Sequence, residues 1–134
     1  MELTQFAYPL TALVTLLATF IVFVFSFRVG MMRGKLNVPA PGLDGPEEFQ
    51  RANRIHLNSL ELIVTFLPVL WLFAALVNDL YAGVAGAVWI IGRILYSKGY
   101  MADPAKRSMG FMISFVPFIV MLVWSFIEVI KIAM

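Results

Sequence analysis

Four long apolar stretches separated by short polar punctuation dominate this chain. From Leu3 to Phe27 no residue carries a charge, and about 20 consecutive apolar residues in a helix cross the hydrocarbon core of a bilayer. This predicts a first membrane span that ends at Arg28, within a helix over about residues 3–32. A secretory leader is the rival reading, but Glu2 stands where a leader is basic and the apolar stretch is longer than an h-region. The following segment, Arg33 to Pro46, holds prolines at 39, 41 and 46 and glycines at 34, 42 and 45, which break regular structure.

Pro46 followed by Glu47 and Glu48 reads as a helix start, because proline suits the first turn and carboxylates favour the positive end of the helix dipole. The second helix is expected over 46–76, polar at first and apolar after Glu61, with Pro68 placed to kink it. Asn78 and Asp79 make a short turn into a third helix over 80–99. There Gly83 and Gly86 permit close approach to a neighbour, and Arg93 lies inside the span. Asp103-Pro104 is an N-cap with proline at the first helical position, opening a fourth helix over 104–130 that Pro117 bends. The pattern predicts an all-α, up-down-up-down, four-helix membrane bundle forming one domain over residues 1–134.

Composition strengthens this picture: 61% of the residues are hydrophobic and 13% charged, against about one quarter charged in soluble domains. A chain this short has no interior large enough for that much apolar surface, so lipid is its solvent. It contains no cysteine, so disulfides, thiolate metal sites and a protein thiol nucleophile are excluded, and any thiol chemistry belongs to a substrate. The net charge of +2 argues against nucleic acid as a partner. Nine of the ten basic residues, Arg28, Arg33, Lys35, Arg51, Arg54, Arg93, Lys98, Lys106 and Arg107, fall at one end of the bundle, and Lys131 falls at the other. The positive-inside rule then places the first and third loops in the cytoplasm.

Two polar stretches stand out from the apolar background. At about 100° per residue, Arg51, Arg54, Asn58 and Glu61 share a narrow arc of the second helix, with Glu61 deepest. Arg93, Tyr96 and Tyr100 share a face of the third helix, and Arg107 follows after the turn. A permanently charged Arg93 near lipid needs a partner, and Glu61 is the expected one. A purely structural ion pair, with the tyrosines in an interfacial belt, accounts for two of these charges. It leaves Arg51, Arg54 and Arg107 as surplus positive charge that suits a small peptide-like anion. His56 is the only histidine, and with no second histidine or cysteine it makes a poor metal site, so no metal is expected. Glu128 is expected at the interface, paired with Lys131 at helical spacing.

The Arg51-x-x-Arg54-x-His56-x-Asn58-x-x-Glu61 spacing resembles the second-helix signature of the MAPEG superfamily, the membrane-associated proteins in eicosanoid and glutathione metabolism. Arg93, Tyr96, Tyr100 and Arg107 are similar to the third-helix pattern and following arginine of its leukotriene-synthase branch, and Arg28 matches a basic residue ending the first helix. The resemblance implies a homotrimer that holds glutathione, as co-substrate, between subunits near the cytoplasmic end. It implies that Arg51, Arg54, Asn58, Glu61, Arg93, Tyr96 and Tyr100, with Arg28 of an adjoining chain, hold the tripeptide. Arg107 would stabilise the thiolate, and Ser108 is an alternative donor to the sulfur. The activity implied is glutathione transfer to a lipophilic electrophile from the membrane, with peroxidase activity as a companion. The short loops suit a bacterial inner-membrane member, or an endoplasmic reticulum protein in a eukaryote. Two other readings remain open: a non-catalytic lipid-binding or scaffold protein of the same fold, and a small channel using Arg93 and Glu61 as an ion relay.

Overall fold

The computed structural model describes residues 5–134. The start assigned to the first span, Leu3, and the leader argument resting on Glu2 lie outside them. Four helices make up the bundle: α1 (Pro9–Leu36), α2 (Glu47–Leu76), α3 (Asp79–Ala102) and α4 (Ser108–Ala133). A short 3-10 turn, Pro104–Arg107, joins α3 to α4. Each of the four is long and apolar enough to cross a membrane, counting the 3-10 turn with α4. α1 packs on α2 and α3, and α4 packs on the other side of the same pair.

Each helix buries one stripe. On α1 it is Thr11, Val14, Ala18, Val22, Phe25 and Val29, a three-and-four spacing that keeps to one side of a 3.6-residue helix. The stripes meet in a core where the Phe66 and Trp89 rings stack 4.2 Å apart and 9° from parallel. Leu16, Phe20, Phe23 and Phe27 point outward and are exposed. In a bilayer such residues gain nothing by turning inward, so helix association depends on close fit and buried hydrogen bonds. Small residues supply the fit. A Cβ added at Gly83 would lie 2.8 Å from Leu10 Cβ, and one at Gly86 would lie 2.5 Å from Val14 Cγ2, so both expected glycines seat α1 against α3.

α1 begins at Pro9 with no side-chain cap of its own. Asp79 supplies one from the first turn of α3: its carboxylate accepts the N–H groups of Leu10 at 3.1 Å and Thr11 at 2.8 Å, and the Thr11 hydroxyl at 2.8 Å. The negative charge therefore meets the positive end of α1 and satisfies two otherwise orphaned donors. Asn78 caps α3 itself, accepting from the Tyr81 N–H at 2.7 Å. The proline-rich loop after α1 is irregular but pinned: Arg33 donates to the carbonyls of Gly42 at 2.6 Å and Val38 at 3.3 Å, with its guanidinium 5.0 Å from the Phe49 ring centre.

α3 runs past Gly99 to Ala102, because that glycine packs rather than terminates: a Cβ there would lie 2.5 Å from the Lys106 carbonyl. Arg51 of α2 then closes the end of α3, donating to the carbonyls of Met101 at 2.9 Å and Ala102 at 3.3 Å. A cation at the negative end of a helix dipole is favourable. The Asp103 cap is present, accepting from the Ala105 N–H at 3.0 Å, but it opens the 3-10 turn, so Arg107 precedes α4 instead of lying within it.

Candidate functional site

The tightest helix contact, between α3 and α4, builds the candidate site. A Cβ on Gly110 would strike the backbone of Tyr96, and one on Gly92 would strike Ser114. With no side chain between them the two backbones touch, which sets the tyrosine face of α3 beside the start of α4. α2 closes the third side, and between them opens a cavity of about 550 Å3. Arg54 and Asn58 reach it from α2, Tyr96 and Tyr100 from α3, Arg107 from the 3-10 turn and Ser108 from α4. Phe111 and Met112 form its apolar wall. The Tyr96 ring lies 5.6 Å from that of Tyr100 and 6.5 Å from that of Phe111. Arg107 is held at the mouth by a 2.7 Å bond to the Pro104 carbonyl within its own turn.

Six of the ten residues that the resemblance assigns to the glutathione site thus line one cavity. Arg93 stands behind it, fully buried: it donates to Asn58 Oδ1 at 2.7 Å and Ser59 Oγ at 3.3 Å, with its guanidinium 4.2 Å from the Tyr96 ring centre. The expected Glu61–Arg93 pairing is therefore corrected. Arg93 faces the arc between Asn58 and Ser59, while Glu61 lies roughly 110° further round α2, by helical geometry, and is exposed. An ion relay through these two side chains loses its geometric basis.

The remaining candidates lie elsewhere in this chain. Arg51 is taken up by the α3 carbonyls and by an ion pair with Glu47. Arg28 donates to Ser97 Oγ at 3.2 Å and opens onto a separate groove of about 340 Å3 shared with Lys35 and Glu48. His56 is half-buried and off the cavity. Glu128 pairs with Lys131 at 3.3 Å at the far end of α4. Phe111 and Met112 went unmarked in the sequence, although helical spacing from Arg107 and Ser108 leads to both. Ser59 carries no signal beyond its place beside Asn58.

Every polar group of the lining can donate a hydrogen bond: two guanidinium groups, a carboxamide, two phenols and a hydroxyl, with no carboxylate among the residues lining the cavity. Its volume falls within the roughly 300–1,000 Å3 of small-ligand clefts. Such a cleft can hold an anion against an apolar wall and stabilise negative charge at Arg107 and Ser108.

Comparison with known proteins bears on the family of the chain. The MAPEG family model matches residues 11–127. An uncharacterised protein of Synechocystis sp. is 43% identical over 83% of this chain and 80% of its own length. Mouse microsomal glutathione S-transferase 2 is 36% identical over 78% of this chain and 71% of its own, and bovine leukotriene C4 synthase is 33% identical over 73% and 65%. The family match reaches into all four helices, and they form the all-α membrane bundle that the second- and third-helix motifs imply; the chain belongs to the MAPEG family.

Proposed function

We propose that this protein is a membrane-bound glutathione transferase that activates the thiol of glutathione for attack on a lipophilic electrophile, with hydroperoxide reduction as a companion activity. The observation that carries the reading is the convergence of Arg54, Asn58, Tyr96, Tyr100, Arg107 and Ser108 on one cavity with an apolar side. Glutathione is a tripeptide with two carboxylates and a net negative charge, and a donor-lined cleft bearing two guanidinium groups suits it. The relatives named for glutathione transfer and leukotriene C4 synthesis support the same choice of co-substrate.

The chemistry follows from the charge at the mouth of the cavity. A free thiol has a pKa of about 8.5 and is mostly protonated at neutral pH. The Arg107 guanidinium, with the Ser108 hydroxyl beside it, favours the thiolate, and the low dielectric of the bundle strengthens that preference. The thiol proton leaves to water. The thiolate sulfur then forms a bond to the electrophilic carbon, and the leaving group departs with its electron pair. The electrophile enters from lipid past Phe111 and Met112.

In this reading the molecule is a homotrimer, with the loops 37–46 and 103–107 on the cytoplasmic side. Arg28, which opens onto a different groove in its own chain, serves the cavity from an adjoining copy, and Glu61, exposed on α2, meets the ligand or the neighbour there. The test is turnover: purified protein in detergent is given glutathione and an aryl halide, and thioether formation is followed by absorbance. Wild type should form product, and Arg107→Ala should form it at least tenfold more slowly. Bound glutathione without product from any electrophile or hydroperoxide would overturn the enzyme reading.

A further inference from the structure

Arg93 is a full positive charge with no surface exposure and no ion-pair partner among the described residues. Removing an ion from water is costly unless it is paired and hydrogen-bonded, so its contacts need an explanation that packing does not supply. It does not line the cavity. What it touches does: Asn58 through the 2.7 Å bond to Oδ1, and Tyr96 through the ring face.

We infer that Arg93 is a positioning residue that turns the Asn58 carboxamide so that its NH2 group serves the cavity, committing that wall to an acceptor on the ligand, a carboxylate or a peptide carbonyl. The argument rests on the one-sidedness of guanidinium, which has five N–H donors and no acceptor. A free asparagine presents oxygen or nitrogen with equal ease. Against Arg93 it can present only oxygen, and the nitrogen is turned away. Asn58 has no other side-chain hydrogen bond among the described residues, so both amide hydrogens are left for a ligand. Stacking under the same guanidinium holds the Tyr96 ring, about 4 Å away being well within the range of a cation–π contact. Tyr96, Tyr100, Ser108 and the two cavity arginines can donate as well, so Asn58 completes a lining in which every polar group can offer a hydrogen to a carboxylate. This inference deepens the proposed glutathione reading and rests on it.

The test uses the full chain in detergent, with glutathione titrated by calorimetry and thermal unfolding followed on the same samples. Asn58→Asp is isosteric. One oxygen keeps the bond to Arg93, now as an ion pair, while the other replaces the NH2 group with an acceptor of the ligand's own sign. Affinity should fall by about ten- to a hundredfold, the worth of a hydrogen bond to a charged group, while the unfolding midpoint holds or rises. Arg93→Met should also weaken binding and Arg93→Lys should recover part of it, but in an Asn58→Ala background Arg93→Met should change affinity no further. Wild-type affinity in Asn58→Asp, or an undiminished effect of Arg93→Met without Asn58, would overturn the inference alone. Absence of glutathione binding by the wild type would overturn the proposed function and this inference with it.

Discussion

Gly110→Ala is the substitution whose sign tests the α3–α4 contact. In an ordinary helix interior, alanine is favoured over glycine by about 1 kcal/mol, so propensity alone predicts a more stable protein. Packing predicts the opposite. A Cβ at Gly110 would lie 2.5 Å from Tyr96 Cα and 2.7 Å from the Leu95 carbonyl carbon, whereas carbon atoms rest about 3.5–4.0 Å apart. The obstacle is backbone, which has no rotamer to change, so the helices must separate by about 1 Å. Overpacking of this kind costs about 1–3 kcal/mol. The Tyr96 face would move away from Arg107 and Ser108, and a displacement of about 1 Å between reacting groups costs about 100-fold in rate. Gly30 is the control: nothing lies within 4 Å of its would-be Cβ, so Gly30→Ala should stabilise by about 0.5–1 kcal/mol through propensity. Thermal unfolding in detergent, with thioether formation on the same preparations, reads both effects. Gly110→Ala should unfold several degrees lower and lose most turnover, while Gly30→Ala should unfold slightly higher with turnover intact. A Gly110→Ala protein as stable and as active as wild type would refute the contact and the site built upon it.

Asp79→Ala removes the cap lent to α1 and should cost about 1 kcal/mol, the usual worth of a capping side chain. Hydrogen exchange at the Leu10 and Thr11 amides should accelerate, and unchanged protection there would show that the two N–H groups are satisfied some other way. Glu61→Gln breaks no ion pair among the described residues, so unfolding of the detergent-dissociated protein should shift by less than about 0.5 kcal/mol. A loss as large as that from Arg93→Met would restore the pairing between the two.

The architecture was legible because membrane helices announce themselves one at a time. An uncharged run such as that before Arg28, or the Asp103-Pro104 cap, needs no knowledge of the rest of the molecule. Tyr96 and Tyr100 could be placed on one face, and Arg54 and Asn58 on another, because helical spacing is local. Arg93 shows where this ends. Periodicity put it on the face that meets α2, but whether it met Glu61 or the arc between Asn58 and Ser59 depended on the rotation of one helix about its axis, which no single-helix pattern contains. The Asp79 cap failed to show for a related reason: its partners, Leu10 and Thr11, lie nearly seventy residues away in sequence. Gly92 and Gly110 look like any membrane-helix glycines until the facing backbone is in view.

Glutathione titration of the detergent-purified protein, with ultraviolet difference absorbance recorded in the same cell for thiolate, bears most directly on the account. The expected result is saturable binding with a thiolate signal that disappears in Arg107→Ala, while affinity in that variant falls by less than about tenfold, since the remaining cavity donors still hold the tripeptide. Saturable binding with an equal thiolate signal in Arg107→Ala would contradict the role given to that arginine. No saturable binding at millimolar glutathione would contradict the central claim.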